Sequence, residues 1–523
     1  MTISTTIQRE LAIGDWLTES AGQHPEARIQ IEDQAITIAQ LDSKAAEVAS
    51  GLHRLGLQTG DKVCLVMAAS VESLQLWFGL ARGGQVEVPL NPNSGTELLR
   101  YCIEQSDASV VVCDTEHEAL VRNCIEGLDA VEHLVVVGTS QPAPFNGVQC
   151  LSYEDLLAGP IQEFDSVDPM STAVILYTSG TTGPPKGVML SHRANINLAK
   201  HTTKLLEYTE KDRLYSVFPL YHSNARYCSV MAAIEVGADL LMHRKFSASK
   251  FWDICREHNI TTFNYQGAMM SLLYKQPPRE DDAENPVRLG FGAPCPPEIF
   301  EAFERRFAVR LTEIFGSTEV SIVTDMPPWD RKIGTAGRES PNYEVAVVDE
   351  AEHPVPAGTI GEIVARPKKA GWMFDGYHKM SEATATSWRN LWFHTGDRGY
   401  LDEEGFLTFV DRLKDTIRRK GENISSWEIE RVISEHPSVA QVAAYGVPSE
   451  LSEEEVMVSV VPHPEQSVEP LNIIAHCQGK LTSFAMPRYI RVVEALPMTP
   501  SQRVEKYRLR AEGVTADTWD AQR

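Results

Sequence analysis

The stretch "YTSGTTGPPKGVMLSH", from Tyr177 to His192, decides how this chain is read. It follows directly on the apolar run "AVIL". A glycine-rich turn at the end of a buried strand is where α/β proteins place a phosphate loop. Gly180, Gly183 and Gly187 let backbone N–H groups close on an anion. Thr178, Ser179, Thr181 and Thr182 add hydroxyl donors, and Lys186 adds a full positive charge. The Walker loop GxxxxGK[ST] does not fit. Pro184 and Pro185 precede the lysine, and Gly187 stands where Ser or Thr should follow. Two adjacent prolines also remove backbone donors that a Walker loop aims at phosphate. A merely flexible surface loop is the competing reading, and the density of phosphate-binding groups argues against it.

Working outward, short apolar runs alternate with amphipathic ones. "SVVVCD" (Ser109 to Asp114), "LVVVG" (Leu134 to Gly138), "AVILYTSG" (Ala173 to Gly180) and "ITTFNY" (Ile260 to Tyr265) read as buried strands. "ESLQLWFGLARG" reads as a helix with Leu74, Trp77, Phe78 and Ala81 on one face. This alternation predicts α/β layers with largely parallel sheets. "KQPPREDDAENP" (Lys275 to Pro286) reads as a polar surface loop. From about Gly358 the strands shorten and glycine turns appear. The last hundred or so residues read as a small α+β domain.

The whole chain of 523 residues is too long for one core, so at least two domains are expected. Its formal net charge of -24 argues against nucleic acid or an anionic membrane as partner. An anionic ligand must therefore meet positive groups gathered locally. The N-terminal "MTISTTIQRELAIGDWL" lacks the basic-then-apolar pattern of a signal peptide, and no window is apolar enough for a membrane span. The nine scattered cysteines form no CxxC pair or Cys/His cluster, so neither a disulfide framework nor a zinc site is expected and a reducing cytoplasm fits.

The glycine-rich loop resembles the signature loop of the adenylate-forming superfamily: acyl-CoA synthetases, peptide-synthetase adenylation domains and luciferases. Further motifs follow in the family's order, and the resemblance covers essentially the whole chain. It implies a large N-terminal domain (1–411) of layered α/β subdomains plus a β-rich subdomain. A small, mobile α+β C-terminal domain (412–523) follows, hinged near 411–415. "GFGAPCPPEIF" resembles the adenine-binding turn, with Gly292, Ala293 and Pro294 along the purine. "EIFGSTEV" resembles the next motif. There Phe315 would stack on adenine beside Gly316 and Ser317, Thr318 would contact the α-phosphate, and Glu319 would hold Mg²⁺. A hard cation bridging phosphates prefers a carboxylate, and an aromatic face suits a purine. In "WFHTGDRGY", Asp397 would accept from both ribose hydroxyls. In "DRLKDTIRRKGENISSWEIE", Arg412 would reach the nucleotide, Lys414 would be the hinge, and Gly421 would line a pantetheine tunnel. "SSWE" also reads as a capping box. "FPLYHSNARYCSV" resembles the aromatic-histidine motif of the acyl pocket, placing Tyr221, His222 and Arg226 there, with Tyr265 and Gly267 of "FNYQGAMM". "YHSNA", "FNYQGAMM" and "RRKGENISSWEIE" are closest in texture to crotonobetaine/carnitine-CoA ligases. Arg226 stands where a neutral residue is expected, and would meet a polar or anionic substrate group or pair with a local acid.

The resemblance implies two half-reactions. A carboxylate attacks the α-phosphate of MgATP to give an acyl-adenylate and pyrophosphate, and a CoA thiolate then displaces AMP. The alternative is an adenylating component that passes its adenylate to a partner ligase. A homodimer is one admissible assembly. In most relatives the C-terminal signature reads like "TPxGKVxK", and its lysine bridges acyl and phosphate oxygens. This chain has "TPSQRVEK". Arg503 falls at the lysine position, and an Arg-for-Lys exchange is not conservative. Lys506 is the next ammonium along. Alignment favours Arg503, while the chemistry of an ammonium leans slightly to Lys506. Arg508 and Arg510 read as structural or surface charges.

Overall fold

The computed structural model describes residues 10–178, 185–412, 417–419, 422–424, 426–449, 454–498 and 504–522, with side chains at 267, 268, 412, 418, 422 and 423 excepted. The strand leading into the glycine-rich loop, Thr172–Tyr177, lies inside an eight-stranded sheet. Its neighbours run in the order Gly376–Tyr377, Gly187–Ser191, Thr172–Tyr177, Val86–Leu90, Lys62–Val66, Val110–Asp114, His133–Val137 and Gln149–Ser152. From Thr172–Tyr177 to Gln149–Ser152 every pairing is parallel. Gly187–Ser191 and Gly376–Tyr377 join antiparallel at the edge. Ala173 to Leu176 and Val110 to Cys113 are all buried, the continuous apolar run that a sheet covered on both faces requires.

A nine-stranded sheet forms the second layer, in the order Arg338–Glu339, Ser321–Asp325, Arg310–Ser317, Leu289–Ala293, Thr262–Gln266, Arg213–Ser216, Asp239–Met242, Arg28–Ile31 and Gln34–Thr37. Its centre is parallel. The helix Val71–Gly83 starts at a Ser70/Ser73 capping box and stops at Gly84 with φ 74°. Its predicted face, Leu74, Trp77, Phe78 and Ala81, joins the main core. Its other side is buried too: Leu76 and Leu80 pack with Val48 and Val63 in a second cluster. One amphipathic face was expected, and a helix wedged between layers uses both.

The β-rich layer is antiparallel: Tyr343–Val348, Gly361–Pro367, Trp392–Leu401 and Trp388–Arg389, with Leu407–Arg412 also paired to Trp392–Leu401. It begins before Gly358, because "YEVAVV" reads like the buried strands preceding it. The predicted loop at 275–286 is at the surface but anchored, with Asp282 buried against Arg306 at 2.6 Å.

The C-terminal part has its own core, including Ile417, Ile429, Ile433, Val458, Ile473 and Ile490, around the four-stranded sheet Val439–Pro448, Glu454–Pro462, Tyr489–Val492 and Trp519–Asp520. The helix Ser426–Ser434 is capped from outside itself. Asp411, near the end of Leu407–Arg412, accepts from the Ser426 N–H (2.7 Å), the Ser426 hydroxyl (2.8 Å) and the Trp427 N–H (3.4 Å). A carboxylate there satisfies orphan donors and meets the positive end of the helix dipole. Among the described residues, no helix is long and apolar enough to cross a membrane.

Candidate active site

The phosphate loop closes at its base. The Thr178 N–H donates to the Lys186 carbonyl at 3.0 Å, and Tyr177 pairs with Gly187. The predicted donors Ser179, Gly180, Thr181, Thr182 and Gly183 lie outside the described residues. Past the loop, Gly187–Ser191 is gripped by Gly376–Tyr377: Tyr377 pairs with Val188, and the His378 N–H donates to the Gly187 carbonyl at 2.8 Å. Gln105 ties the other side, donating to the His378 carbonyl at 2.6 Å while accepting from the Tyr177 hydroxyl.

The Lys186 ammonium sits over the Tyr377 ring, 4.7 Å from its centroid. The Tyr377 hydroxyl donates to Glu319 Oε1 at 2.9 Å, and the Ser317 hydroxyl donates to Glu319 Oε2 at 2.8 Å. The sequence-predicted loop cation and acidic residue thus meet through a tyrosine that the sequence reading missed. Among the described residues there is no cluster of three or more His, Cys, Asp or Glu suited to holding a metal. A single oriented carboxylate fits Mg²⁺ of the substrate-borne kind, which keeps most of its ligands as water and phosphate oxygens.

The strands Leu289–Ala293 and Arg310–Ser317 leave room where backbone must come close. A Cβ on Gly292 would meet the Tyr265 carbonyl oxygen at 2.0 Å, and one on Gly316 would meet the Ser321 carbonyl oxygen at 1.8 Å. Ala293 and Pro294 follow at the strand's end, and Thr318 is half-buried in the turn before Ser321–Asp325. Phe315 is stacked on Phe409, with centroids 6.2 Å apart, which joins this strand to the β-rich layer. Beneath it, Glu313 is buried and accepts from the Cys295 N–H. Burial pushes its carboxyl up to about 7, against the pull of that N–H.

Asp397 lies within Trp392–Leu401 and pairs in register with Arg412. Its position is built by neighbours: its N–H donates to the Thr395 hydroxyl at 3.1 Å, that hydroxyl donates to the Ile363 carbonyl at 2.6 Å, and the Gly396 N–H donates to Glu362 at 3.2 Å. The Arg412 side chain, Lys414, Gly421 and Arg503 lie outside the described residues.

Tyr221 and His222 are half-buried, with ring centroids 4.8 Å apart, in the turn before a π-helix at Asn224–Met231. Two expected pocket residues are elsewhere. Arg226 is 0% exposed. Its guanidinium grips Glu87 with both Nη atoms, donates to the Leu220 carbonyl at 3.1 Å and lies 3.8 Å from the Trp77 ring centroid. Burial raises the Glu87 carboxyl, and Arg226 opposes that rise. Of the two readings, the local acid holds. Its charge is answered by Glu87 inside the core, as a charge buried between these layers requires. Tyr265 is likewise core: fully buried, with its hydroxyl donating to the Thr312 carbonyl at 3.1 Å. Gly267 opens the helix Gly267–Tyr274.

Lys506 also has a fixed place. Its ammonium is 2.8 Å from Glu430 and donates to the Ser426 hydroxyl at 2.6 Å. Both partners belong to the same C-terminal unit, so any rigid rotation of that unit carries the pair along.

The class these parts define is the adenylate-forming enzymes: a phosphate loop and an oriented carboxylate at the edges of two parallel sheets, with a β-rich layer and a separate small C-terminal unit. Residues 17–378 match the family model described as AMP-binding enzyme, and residues 428–503 match the AMP-binding enzyme C-terminal domain. The chain belongs to this family and is an AMP-forming acyl-CoA ligase. It is 31% identical over 490 residues to crotonobetaine/carnitine–CoA ligase of Salmonella arizonae, covering 92% of this chain and 94% of that protein. The ATP-bound structure of MatB from Rhodopseudomonas palustris is similar with a TM-score of 0.85 at 26% identity, over 96% of this chain and 99% of that one. The anthranilate CoA ligase AuaEII, in complex with anthranoyl-AMP, shares the fold with a TM-score of 0.86 at 22% identity, over 98% of this chain and 99% of that one.

Proposed function

We propose that the acid this ligase activates has a tail without a second negative charge, neutral or cationic. The supporting observation is Arg226. It is the one cation in the aromatic-histidine motif, and Glu87 neutralises it inside the core. An anionic tail would meet no compensating charge from that motif, and burying an unpaired carboxylate is costly. A screen of monocarboxylates, dicarboxylates and trimethylammonium acids, read by both pyrophosphate and thioester formation, tests this. Preferred turnover of dicarboxylates would refute it.

Catalysis in this reading is positioning and charge neutralisation. Lys186, with the hydroxyls of the glycine-rich loop, steadies the β- and γ-phosphates. Phe315 and the floor at Gly292, Ala293, Pro294 and Gly316 hold adenine; Asp397 and Arg412 hold the ribose side; Thr318 contacts the α-phosphate. Bound Mg²⁺ supplies charge neutralisation at the phosphate oxygens, and Glu319 is the residue that would hold it. Tyr221 and His222 line the acyl side. Arg503 supplies the C-terminal cation for adenylation, since the Lys506 ammonium already serves Glu430 and Ser426. The small domain then turns about Lys414 and brings Gly421 to the pantetheine path, which also excludes water from a hydrolysable adenylate. Lys414→Pro should impair thioester formation more than pyrophosphate release; equal loss of both would remove the hinge assignment. The nine cysteines, all free thiols and eight of them buried, support a cytoplasmic setting.

A further inference from the structure

Tyr377 reaches the site from an edge strand of two residues and is held on several sides. Its backbone pairs with Val188, two residues after Lys186. Its N–H donates to the Thr384 hydroxyl at 2.9 Å, which donates in turn to the Met380 carbonyl at 3.0 Å. Its ring packs near Phe374, with centroids 5.0 Å apart. The side chain is 6% exposed, yet its two functional surfaces face two charged groups: the hydroxyl meets Glu319, and the ring face meets Lys186. The other Glu319 oxygen is held by Ser317. The carboxylate plane is thereby fixed, with lone pairs still open.

We infer that Tyr377 is a positioning residue for adenylation: its hydroxyl orients the Glu319 carboxylate and its ring seats the Lys186 ammonium, so one side chain sets the distance between loop cation and metal-side acid. This rests on the roles proposed above for Glu319 and Lys186. A core tyrosine kept only for packing would leave both charged groups indifferent to loss of its hydroxyl.

Equilibrium binding of ATP, measured by titration calorimetry without acid or CoA, separates these cases. Each protein is titrated once with Mg²⁺ and once with EDTA. Tyr377→Phe should reduce the factor by which Mg²⁺ tightens ATP binding by about tenfold, the scale of losing an outer partner of a metal ligand, and should leave binding in EDTA unchanged. Tyr377→Leu should in addition weaken binding in EDTA by about threefold, because Lys186 loses its platform. A Tyr377→Phe protein with the wild-type Mg²⁺ factor overturns the inference. So does one whose affinity falls equally with and without Mg²⁺. Glu319→Gln tells the two levels apart. If it keeps the wild-type Mg²⁺ factor, the role of Glu319 and the inference fall together. If it loses the factor while Tyr377→Phe keeps it, the inference alone falls.

Discussion

Lys506 and Glu430 form an ion pair of 2.8 Å inside the C-terminal unit, and the same ammonium donates to Ser426. Burial raises the Glu430 carboxyl, and Lys506 is the first group to oppose that rise. Removing the ammonium leaves a largely sheltered acid with the Ala444 N–H, at 2.8 Å, but no counter-charge from Lys506. Lys506→Ala should therefore cost about 2 kcal/mol of stability, below the full price of breaking a buried pair because both side chains keep some exposure. Arg503→Ala should leave the melting temperature unchanged and suppress adenylation. Melting curves beside pyrophosphate exchange read both effects, and the opposite pattern would return Lys506 to the chemistry.

Arg226 and Glu87 bridge the layers without solvent. Arg226→Met should destabilise the protein by about 3 to 5 kcal/mol, because Glu87 is left buried and unpaired. The double variant Arg226→Met with Glu87→Met should recover most of that loss. Denaturant unfolding of the three proteins checks it, and additive losses would show that the charges do not act as a pair.

Glu313 makes stability depend on pH. Its folded-state carboxyl titrates near 7, above the ordinary 4.5. The folded protein therefore binds the proton more tightly than the unfolded chain. That stabilisation is complete below about pH 4.5 and is lost as pH rises through 7. Glu313→Gln removes this contribution to the slope. Relative to wild type, the variant should gain about 2.5 kcal/mol between pH 5 and pH 8. Unfolding at the two pH values measures this, and parallel changes in both proteins would contradict it.

Gly316 has a carbonyl where a side chain would go, with Ser321 O at 1.8 Å from an added Cβ. Gly316→Ala must push the strands Arg310–Ser317 and Ser321–Asp325 apart. The expected result is a KM for ATP raised about tenfold or more and a stability cost of about 1 to 3 kcal/mol. Steady-state kinetics with saturating acid and CoA give the first number, and an unchanged KM would place adenine elsewhere.

What was legible in the sequence was local. The strand before the glycine loop, the parallel layers and the small C-terminal unit follow from runs of neighbouring residues, and the motif order carried the family. What was not legible came from distant chain segments. Tyr377 stands 58 positions from Glu319, on a strand of two residues that leaves no periodic trace. Arg226 left two readings open, because only the fold brings Glu87 to it. Lys506 looked available until helix Ser426–Ser434 supplied its partners. Tyr265 looked like a pocket residue because a buried strand exposes no sign of which face meets a ligand.

Asp411 and Ser426 make the junction between the two units a closed ring: covalent along the chain through 412–425, hydrogen-bonded across its ends. The hinge proposed at Lys414 would lie inside this ring and would not be a free swivel. Small adjustments can be absorbed with the ring shut, but a large turn of the C-terminal unit must open it. Opening takes the Asp411 carboxylate away from the first N–H groups of Ser426–Ser434. For the turn proposed above, one side chain would then separate small adjustments from large ones, at a helix end rather than at the pivot.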